Sequence, residues 1–418
     1  MRAGIAALVA AIITTSCAAA AHARADAPRI EATAAILVDA ETGQVLYEKN
    51  ADERRSIAST TKIMTALLII ERGQLDAVCS VSKRAAETPQ SSISLDPGER
   101  LRLDDLLAAV LVKSANDAAV AAAEAVAGSE RAFVDTMNQR ARELGATNTH
   151  FTNPHGLYDA EHFSTARDLA LMAREAMHSP RFADLVSTKS CTIPWPGKDC
   201  ERRLANKNRL LSLMPGADGV KTGYVKESGP CLVASVTRDG WRLMAVLLDS
   251  PDLWTEAEAL LGYGFDNFRA LQFAQRGKPV ASVEVQGGES PRVPLVPSAS
   301  LMLVLPKWSR QDYGYMPRID LSRSRLGAPV RAGQQMGRMV LVAGDTELAA
   351  VDLLAGETIP RSLLSSIWLG MSRTMLCLVA AVIAVRGYSV ATKKHRTRRI
   401  HVRLTPAQRE PRSDILPQ

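Results

Sequence analysis

The chain has 418 residues, a formal net charge of +7 and six cysteines. This length exceeds one ordinary domain core and predicts two or three units, and the composition is that of a globular protein. No Cys-x-x-Cys and no His-Glu-x-x-His occurs, so we predict no metal site and no cofactor.

The N-terminus has the pattern of a secretory signal peptide. A basic start is followed by an apolar run from Ala6 to Ile13 and then by small residues. We expect cleavage near Ala23 or Ala25, which makes residues 1–25 the signal. A lipoprotein signal at Cys17 is an alternative that ranks below simple cleavage.

A second apolar segment, residues 362–385, lies near the C-terminus and contains one charge, Arg373. The segment is long enough to span a bilayer, and one central arginine costs about 2.5 to 3.5 kcal/mol on insertion scales, which the apolar residues offset. We therefore predict a membrane anchor. An amphipathic helix lying in the interface is the alternative.

The tail, residues 386–418, opens with a basic run that has no acid within it. Its members are Arg386, Lys393, Lys394, Arg396, Arg398, Arg399 and Arg403. By the positive-inside rule the tail is cytoplasmic, and the chain before Ser362 lies outside the cytoplasmic membrane. These seven residues equal the net charge of +7, and the run lacks interleaved aromatic residues, so we predict no nucleic-acid partner.

The first predicted elements, in chain order, are two strands and a buried helix. Thr33 to Asp39 and Gln44 to Glu48 have the pattern of a hairpin, and a helix from Ser59 through the apolar run Ile63 to Ile70 follows. Further helices are predicted at Leu103 to Val112, Ala118 to Ala127, Glu130 to Leu144 and from Ser164 onwards.

Strand patterns return near the end of this region. Val220 to Val225, Cys231 to Thr237 and Trp241 to Leu248 are predicted strands, and a helix from Leu253 to Leu261 follows them. Cys191 and Cys200 flank a turn that brings them opposite each other, and a disulfide between them is left open.

Strands at both ends with helices between them predict one α+β domain, residues 30–266, whose sheet is assembled from both ends of the sequence. Residues 268–360 have short β-rich runs separated by glycine and proline. We predict a small β domain there.

Ser59 and Lys62 form a Ser-x-x-Lys pair, which places a hydroxyl and an amine on the same side of a helix. A serine hydroxyl needs a base before it attacks a carbonyl, and lysine is a base only when its pKa is lowered by burial or by a neighbouring cation. The pair predicts acyl transfer, although the spacing alone is common.

Two further motifs make the pattern specific. Ser114-Ala115-Asn116 lies between two predicted helices, and Lys221-Thr222-Gly223 lies on a predicted strand. The three motifs in this order are the signature of penicillin-binding proteins and class A β-lactamases. Ser114 can pass a proton between Lys62 and a leaving amine, and the backbone N–H groups of Ser59 and Tyr224 are placed to form an oxyanion hole.

The chain resembles the D-alanyl-D-alanine carboxypeptidases, the low-molecular-mass penicillin-binding proteins of serine peptidase family S11. The matching stretches include ASTTKIMTAL (58–67), KSANDA (113–118), NTHFTNPHGL (148–157) and PGADGVKTGY (215–224). The resemblance implies a β-lactamase/penicillin-binding-protein-like fold and removal of the terminal D-alanine from peptidoglycan stem pentapeptides through an acyl-enzyme on Ser59. It also implies covalent binding of β-lactam antibiotics.

The resemblance also implies roles for the other site residues. Asn116 is expected to hold a substrate amide, Lys221 to add positive potential, Thr222 to bind the substrate carboxylate, and Gly223 to let the substrate lie against the strand. Arg242 matches the family arginine that meets the terminal carboxylate, a solvated strand charge being the alternative. The histidines His155 and His162 are expected to organise loops.

Two other functions remain as alternatives. A class A-like β-lactamase needs a glutamate-held water, and no clear Glu-x-x-x-Asn lies between Asn116 and Lys221. A non-catalytic penicillin-binding or wall-binding protein would keep the fold, but the intact motifs favour an enzyme.

Overall fold

The structure is a computed structural model that describes residues 27–308, 315–322, 326–344, 346–363, 374–386 and 388–389. The predicted signal peptide lies outside the described residues, as do much of the predicted anchor and nearly all of the basic tail. Contacts divide the chain into two compact units. The first contains the described parts of Met1–Gln272 and Met302–Asp312, and the second those of Phe273–Leu301 and Tyr313–Gln418.

Strands occur in both units. The strands are β1 (Ala34–Asp39), β2 (Val45–Lys49), β3 (Val78–Ser80), β4 (Arg100–Arg102), β5 (Ser190–Ile193), β6 (Arg202–Ala205), β7 (Ala217–Val225), β8 (Gly229–Arg238), β9 (Trp241–Leu248), β10 (Phe268–Ala274), β11 (Ala281–Gln286), β12 (Arg292–Pro297), β13 (Leu301–Pro306), β14 (Met316–Leu321), β15 (Leu326–Gly327), β16 (Gln335–Ala343) and β17 (Thr346–Ala355).

Among the described residues, nine helices precede the second unit and belong to the first. They are α1 (Lys62–Arg72), α2 (Lys83–Ala86), α3 (Leu103–Ala108), α4 (Asn116–Ala127), α5 (Glu130–Glu143), α6 (Ala166–Ala176), α7 (Pro180–Ser187), α8 (Leu210–Leu213) and α9 (Leu253–Asn267). A 3₁₀ turn, Ala58–Thr61, precedes α1, and a π-helical turn, Ala109–Lys113, follows α3.

The centre of the first unit is a five-stranded antiparallel sheet with the order β2-β1-β9-β8-β7. Successive side chains of a strand point to opposite faces. In β1, Ile36 and Val38 enter the core formed with the helices of residues 62–187, whereas Ala35 and Leu37 enter a second core with α9. The sheet therefore lies between two helical layers, and β7 is one of its free edges.

Helix α1 is the buried helix that the apolar run predicts, and its residues from Lys62 to Ile69 are all buried. It starts later than predicted, because Ser59 lies in the preceding 3₁₀ turn. The sequence analysis did not predict the short helices α2, α7 and α8. Cys191 lies on β5 and Cys200 in the loop before β6, and both are free thiols in the structure.

The second unit contains a sheet with the order β14-β16-β17-β12-β11-β15. It contains most of the predicted small β domain, but β10 and its partner β13 fall largely in the first unit. Residues 374–386 form a helix whose apolar side chains are exposed. Among the residues that the structure describes, no helix has the length and apolar character needed to cross a membrane.

Candidate active site

Ser59 and Lys62 meet at the junction between the 3₁₀ turn and α1. The Lys62 Nζ lies 3.0 Å from the Ser59 Oγ, and the lysine side chain is fully buried. The amine also lies 2.7 Å from the Asn116 Oδ1 and 2.6 Å from the backbone oxygen of His155. Three groups from three different segments therefore surround one buried nitrogen.

The hydrogen bonds of Lys62 fit a neutral amine acting as a base. The Asn116 Nδ2 donates to the backbone oxygen of Pro89 at 2.9 Å, so its Oδ1 is the atom that faces the lysine. That oxygen and the His155 carbonyl only accept, and together they use both N–H bonds of a neutral amine. The nitrogen lone pair is then left for the hydroxyl proton of Ser59. After proton transfer, the ammonium has one donor for each of the three oxygens.

Burial and neighbouring cations lower the pKa of Lys62 well below its usual value. Burial contributes most, followed by the charge of Lys221 and then that of Lys207, whereas Asp117 acts in the opposite direction. Burial also lowers the pKa of Lys221, to about 7, with Lys207 contributing. A desolvated lysine beside other cations can be a base near neutral pH.

Ser114 and Asn116 lie where a π-helical turn meets the N-terminus of α4. Ser114 adopts a left-handed conformation with φ of 64°, which directs the chain out of the turn. π-helical turns are frequent at functional sites. The hydroxyl of Ser114 faces the same cavity as Ser59, and the described residues offer it no hydrogen bond.

Asp117, which the sequence analysis passed over, holds the neighbouring cavity wall. Its buried carboxylate accepts hydrogen bonds from Ser92 Oγ and from the backbone N–H groups of Ile93 and Leu95. The adjacent Ser91 accepts the backbone N–H of Asn116 at 2.6 Å. The sequence does contain a signal for Asp117, because an acidic residue directly after Asn116 stands at the N-terminus of a helix.

Edge strand β7 forms the opposite side of the cavity with Thr222, Gly223 and Tyr224. A Cβ at Gly223 would lie 3.0 Å from the backbone nitrogen of Ser59, so a side chain here would push the strand and the 3₁₀ turn apart by a few tenths of an ångström. Tyr224, the next residue of the strand, lines the same cavity as Ser59. An unpaired strand edge also accepts an extended peptide.

The loop containing His155 supplies the carbonyl that holds Lys62. His155 Nδ1 accepts from the Leu157 N–H at 3.2 Å, and His162 Nδ1 accepts from the Thr152 N–H at 3.1 Å. Both rings are therefore neutral and protonated at Nε2. Burial lowers the pKa of His155 to about 2 and that of His162 to about 4. Both histidines organise the loop, as expected.

The catalytic cavity has a volume of about 360 Å³. Ser59, Ser114, Asn116 and the three residues of β7 line it, and Lys62 and Lys221 lie buried behind them. Lys207 also lines the cavity, which the sequence analysis did not predict, because it lies in an irregular segment without a motif. None of the lining residues is acidic.

Arg242 is not part of this cavity, which corrects the prediction from the resemblance. It pairs with Thr237 on β8, whereas Thr222 pairs with Leu232, so roughly 16 Å of strand separates the two positions. Its guanidinium instead binds Asp218, with Nε 2.9 Å from Oδ2. Because β9 runs antiparallel to β8, its first residues lie at the far end of the sheet.

Comparison with known proteins agrees with this geometry. Residues 21–252 match the family model described as D-alanyl-D-alanine carboxypeptidase, Peptidase_S11. The chain belongs to the S11 family. Residues 268–361 match a second model, that of the penicillin-binding protein 5 C-terminal domain.

Several curated proteins align with most of the length of this chain. It is 34% identical over 340 residues to the D-alanyl-D-alanine carboxypeptidase DacF of Bacillus subtilis, which covers 79% of this chain and 87% of that protein. It is 33% identical over 348 residues to DacD of Escherichia coli, with coverage of 79% and 88%. Penicillin-binding protein 5 from Haemophilus influenzae has the same fold, with a TM-score of 0.63 and 29% identity over 81% of this chain and all of that one.

The charge on Lys207 predicts a shift in the pH dependence of acylation. In Lys207→Gln, one cation that lowers the pKa of Lys62 is removed, so the pKa of Lys62 rises and acylation needs a higher pH. Rates of labelling by a fluorescent penicillin between pH 5 and 9 measure this. Lys226→Gln, at an exposed lysine that does not act on the pKa of Lys62, is the matched control. If acylation by Lys207→Gln decreased in acid at the same pH as in wild type, the effect of Lys207 on the pKa of Lys62 would be contradicted.

The buried histidines predict a loss of stability in acid. Because His162 has a pKa of about 4 in the folded protein and about 6.5 when unfolded, the unfolded chain binds the extra proton between these pH values. Stability therefore falls as the pH falls from about 6.5, by about 1.4 kcal/mol per unit for each such histidine. Urea unfolding followed by tryptophan fluorescence should give a smaller pH dependence in His162→Gln than in wild type. His178→Gln, at an exposed histidine, should keep the wild-type dependence, and an equal dependence in all three proteins would exclude this origin.

Proposed function

We propose that this S11 protein is a serine D-alanyl-D-alanine carboxypeptidase that removes the terminal D-alanine from peptidoglycan stem pentapeptides. The observation that carries the proposal is the fully buried Lys62 amine, 3.0 Å from the Ser59 Oγ, with a lowered pKa. The curated relatives align with 79% of this chain and with 87% to 88% of their own length, which supports the same activity.

Acylation begins when Ser59 Oγ attacks the carbonyl of the penultimate D-alanine and its proton passes to Lys62 Nζ. The backbone N–H groups of Ser59 and Tyr224 bind the oxyanion of the tetrahedral intermediate. The C–N bond then breaks, and the proton moves from Lys62 through the Ser114 hydroxyl to the leaving amine. D-alanine departs, and the ester on Ser59 remains.

Hydrolysis of the ester completes the cycle. Lys62, neutral again, takes a proton from water, whose oxygen attacks the ester carbonyl, and the proton returns to Ser59 Oγ as the C–O bond breaks. Asn116 holds the amide of the acyl part throughout. β-lactams acylate Ser59 by the same first step, and without a carboxylate in the cavity lining to hold water, the β-lactamase alternative is disfavoured.

The terminal carboxylate of the substrate lies at the Thr222 end of the cavity. Thr222 supplies a hydroxyl, and Lys207 supplies the cation that the resemblance assigned to Arg242. The bound carboxylate is also attracted by the buried Lys221. Lys207 thus replaces Arg242 in the substrate-binding set.

We also propose that the protein is attached to the cytoplasmic membrane, with the first unit outside and the tail inside. The exposed apolar side chains of residues 374–386 support attachment, among them Leu376 at 76% exposed and Leu378 at 66%. The basic run after them supports the orientation. Spanning the bilayer and lying in its interface remain the two modes of attachment.

The function predicts release of D-alanine from an acyl-D-Ala-D-Ala peptide and one penicillin adduct per chain. Ser59→Ala should show neither, whereas Ser212→Ala, at an exposed serine, should behave as wild type. Gly223→Ala should acylate more slowly, by up to about 10²-fold, because its Cβ pushes β7 away from the Ser59 N–H by a few tenths of an ångström. D-alanine release by Ser59→Ala would contradict the proposal, and rapid penicillin turnover without D-alanine release would favour a β-lactamase.

The topology predicts where a protease reaches the tail. A protease added to inverted membrane vesicles should cut the basic run, whereas the same protease added to spheroplasts should cut only the units before residue 362. Equal cleavage of the tail in both preparations would contradict a cytoplasmic tail. Extraction of the protein by alkaline carbonate would distinguish an interfacial helix from a spanning one.

A further inference from the structure

A second cavity of about 630 Å³ adjoins the catalytic cavity and is not used in the mechanism above. Leu157 lines both cavities. The preceding Gly156 lines the catalytic cavity, and the following Tyr158 and Asp159 line the second one. The two cavities are therefore neighbouring compartments along one loop.

The lining of the second cavity has unpaired charges of both signs. Arg84 and Glu130 lie in it and form an ion pair with each other, with an N–O distance of 3.0 Å. Arg131 and Asp159 are exposed, and neither has an ion-pair partner among the described residues. Tyr158 lies in the same lining and is 54% exposed. The Asp159 carboxylate accepts the backbone N–H of Glu161 at 2.8 Å through Oδ1, which leaves Oδ2 for a ligand. One cation and one anion without ion-pair partners and an aromatic ring are thus available to a ligand.

The direction of the substrate places its acyl part on this side. Its carboxylate end lies at Thr222 and Lys207, and its reacting carbonyl lies at Ser59. With this orientation, the acyl part extends from Ser59 away from the Thr222 end of the cavity. The Leu157 loop lies beside this path, because the His155 carbonyl binds Lys62 and Gly156 packs against the backbone of Ala58.

We propose that the second cavity binds the side chain of the residue that precedes D-Ala-D-Ala in the substrate, when that side chain ends in both an ammonium and a carboxylate. Asp159 receives the ammonium, Arg131 the carboxylate, and Tyr158 covers the methylene groups. An arginine binds a carboxylate with two parallel hydrogen bonds, which suits this end of the site. The inference rests on the proposed carboxypeptidase function and adds the class of stem peptide that the enzyme prefers.

The site discriminates between three side chains of similar length. A side chain that ends in an ammonium alone meets Asp159 but leaves Arg131 without a partner, and an acetylated amine meets neither charge. Ion pairs at exposed positions are weak, so each contact changes affinity by about two- to fivefold. The expected order of affinity is zwitterion, then ammonium, then neutral amide.

Binding to the Ser59→Ala protein tests this without any turnover. Calorimetry compares three X-D-Ala-D-Ala peptides, in which X is acylated meso-diaminopimelic acid, lysine or Nε-acetyl-lysine. Arg131→Gln in this background should remove the advantage of diaminopimelate over lysine, and Asp159→Asn should remove that of lysine over acetyl-lysine. Arg203→Gln and Asp239→Asn, at exposed positions away from the cavity, are the matched controls and should leave the order intact.

Equal affinities for the three peptides, or an order that survives both Arg131→Gln and Asp159→Asn, would overturn the inference. D-alanine release by the wild-type protein from the acetyl-lysine peptide tests the proposed function separately. If D-alanine is not released but the affinity order holds, the carboxypeptidase proposal fails and the subsite stands. If D-alanine is released at equal kcat/KM from all three peptides and their affinities are equal, the subsite fails and the carboxypeptidase stands.

Discussion

The burial of one amine, the Nζ of Lys62, is the constraint on which the rest of the site depends. An isolated buried ammonium is costly, whereas a neutral amine with two acceptors and one hydroxyl donor has every polar group satisfied. Asn116 and the His155 carbonyl are those acceptors, and the Ser59 hydroxyl, 3.0 Å from the amine, is the group that donates to it in the neutral state. Removing either acceptor would leave an N–H group of Lys62 unsatisfied. The arrangement that makes the interior stable therefore also makes the lysine a base.

The fold supplies these partners from distant parts of the sequence. Helix α1 carries Lys62, the N-terminus of α4 carries Asn116, and a loop held by two neutral histidines carries the His155 carbonyl. Edge strand β7 closes the site from the other side, and glycine at position 223 sets how closely it approaches. The core on the helical side of the sheet holds α1 and α4 together, so the positions of the catalytic groups follow from apolar packing.

Local patterns in the sequence predicted most of the fold of the first unit and the groups at the centre of the site. The period of the apolar residues located the main strands and helices, and three short motifs located Ser59, Lys62, Ser114, Asn116 and the β7 residues. Positions defined only by tertiary contact could not be predicted in this way. Arg242 was placed by a local match, although the antiparallel course of β9 puts it at the far end of the sheet. Lys207 was missed because an irregular segment without periodicity brings it to the cavity.

A direct titration of Lys62 tests the central claim of a neutral buried base. The protein labelled with ¹³C at the lysine ε-carbon can be titrated by NMR, with the signal assigned by its loss in Lys62→Arg. The account predicts a Lys62 signal that titrates well below the usual lysine pKa of about 10.4. A Lys62 signal that remains protonated up to about pH 10 would contradict the account.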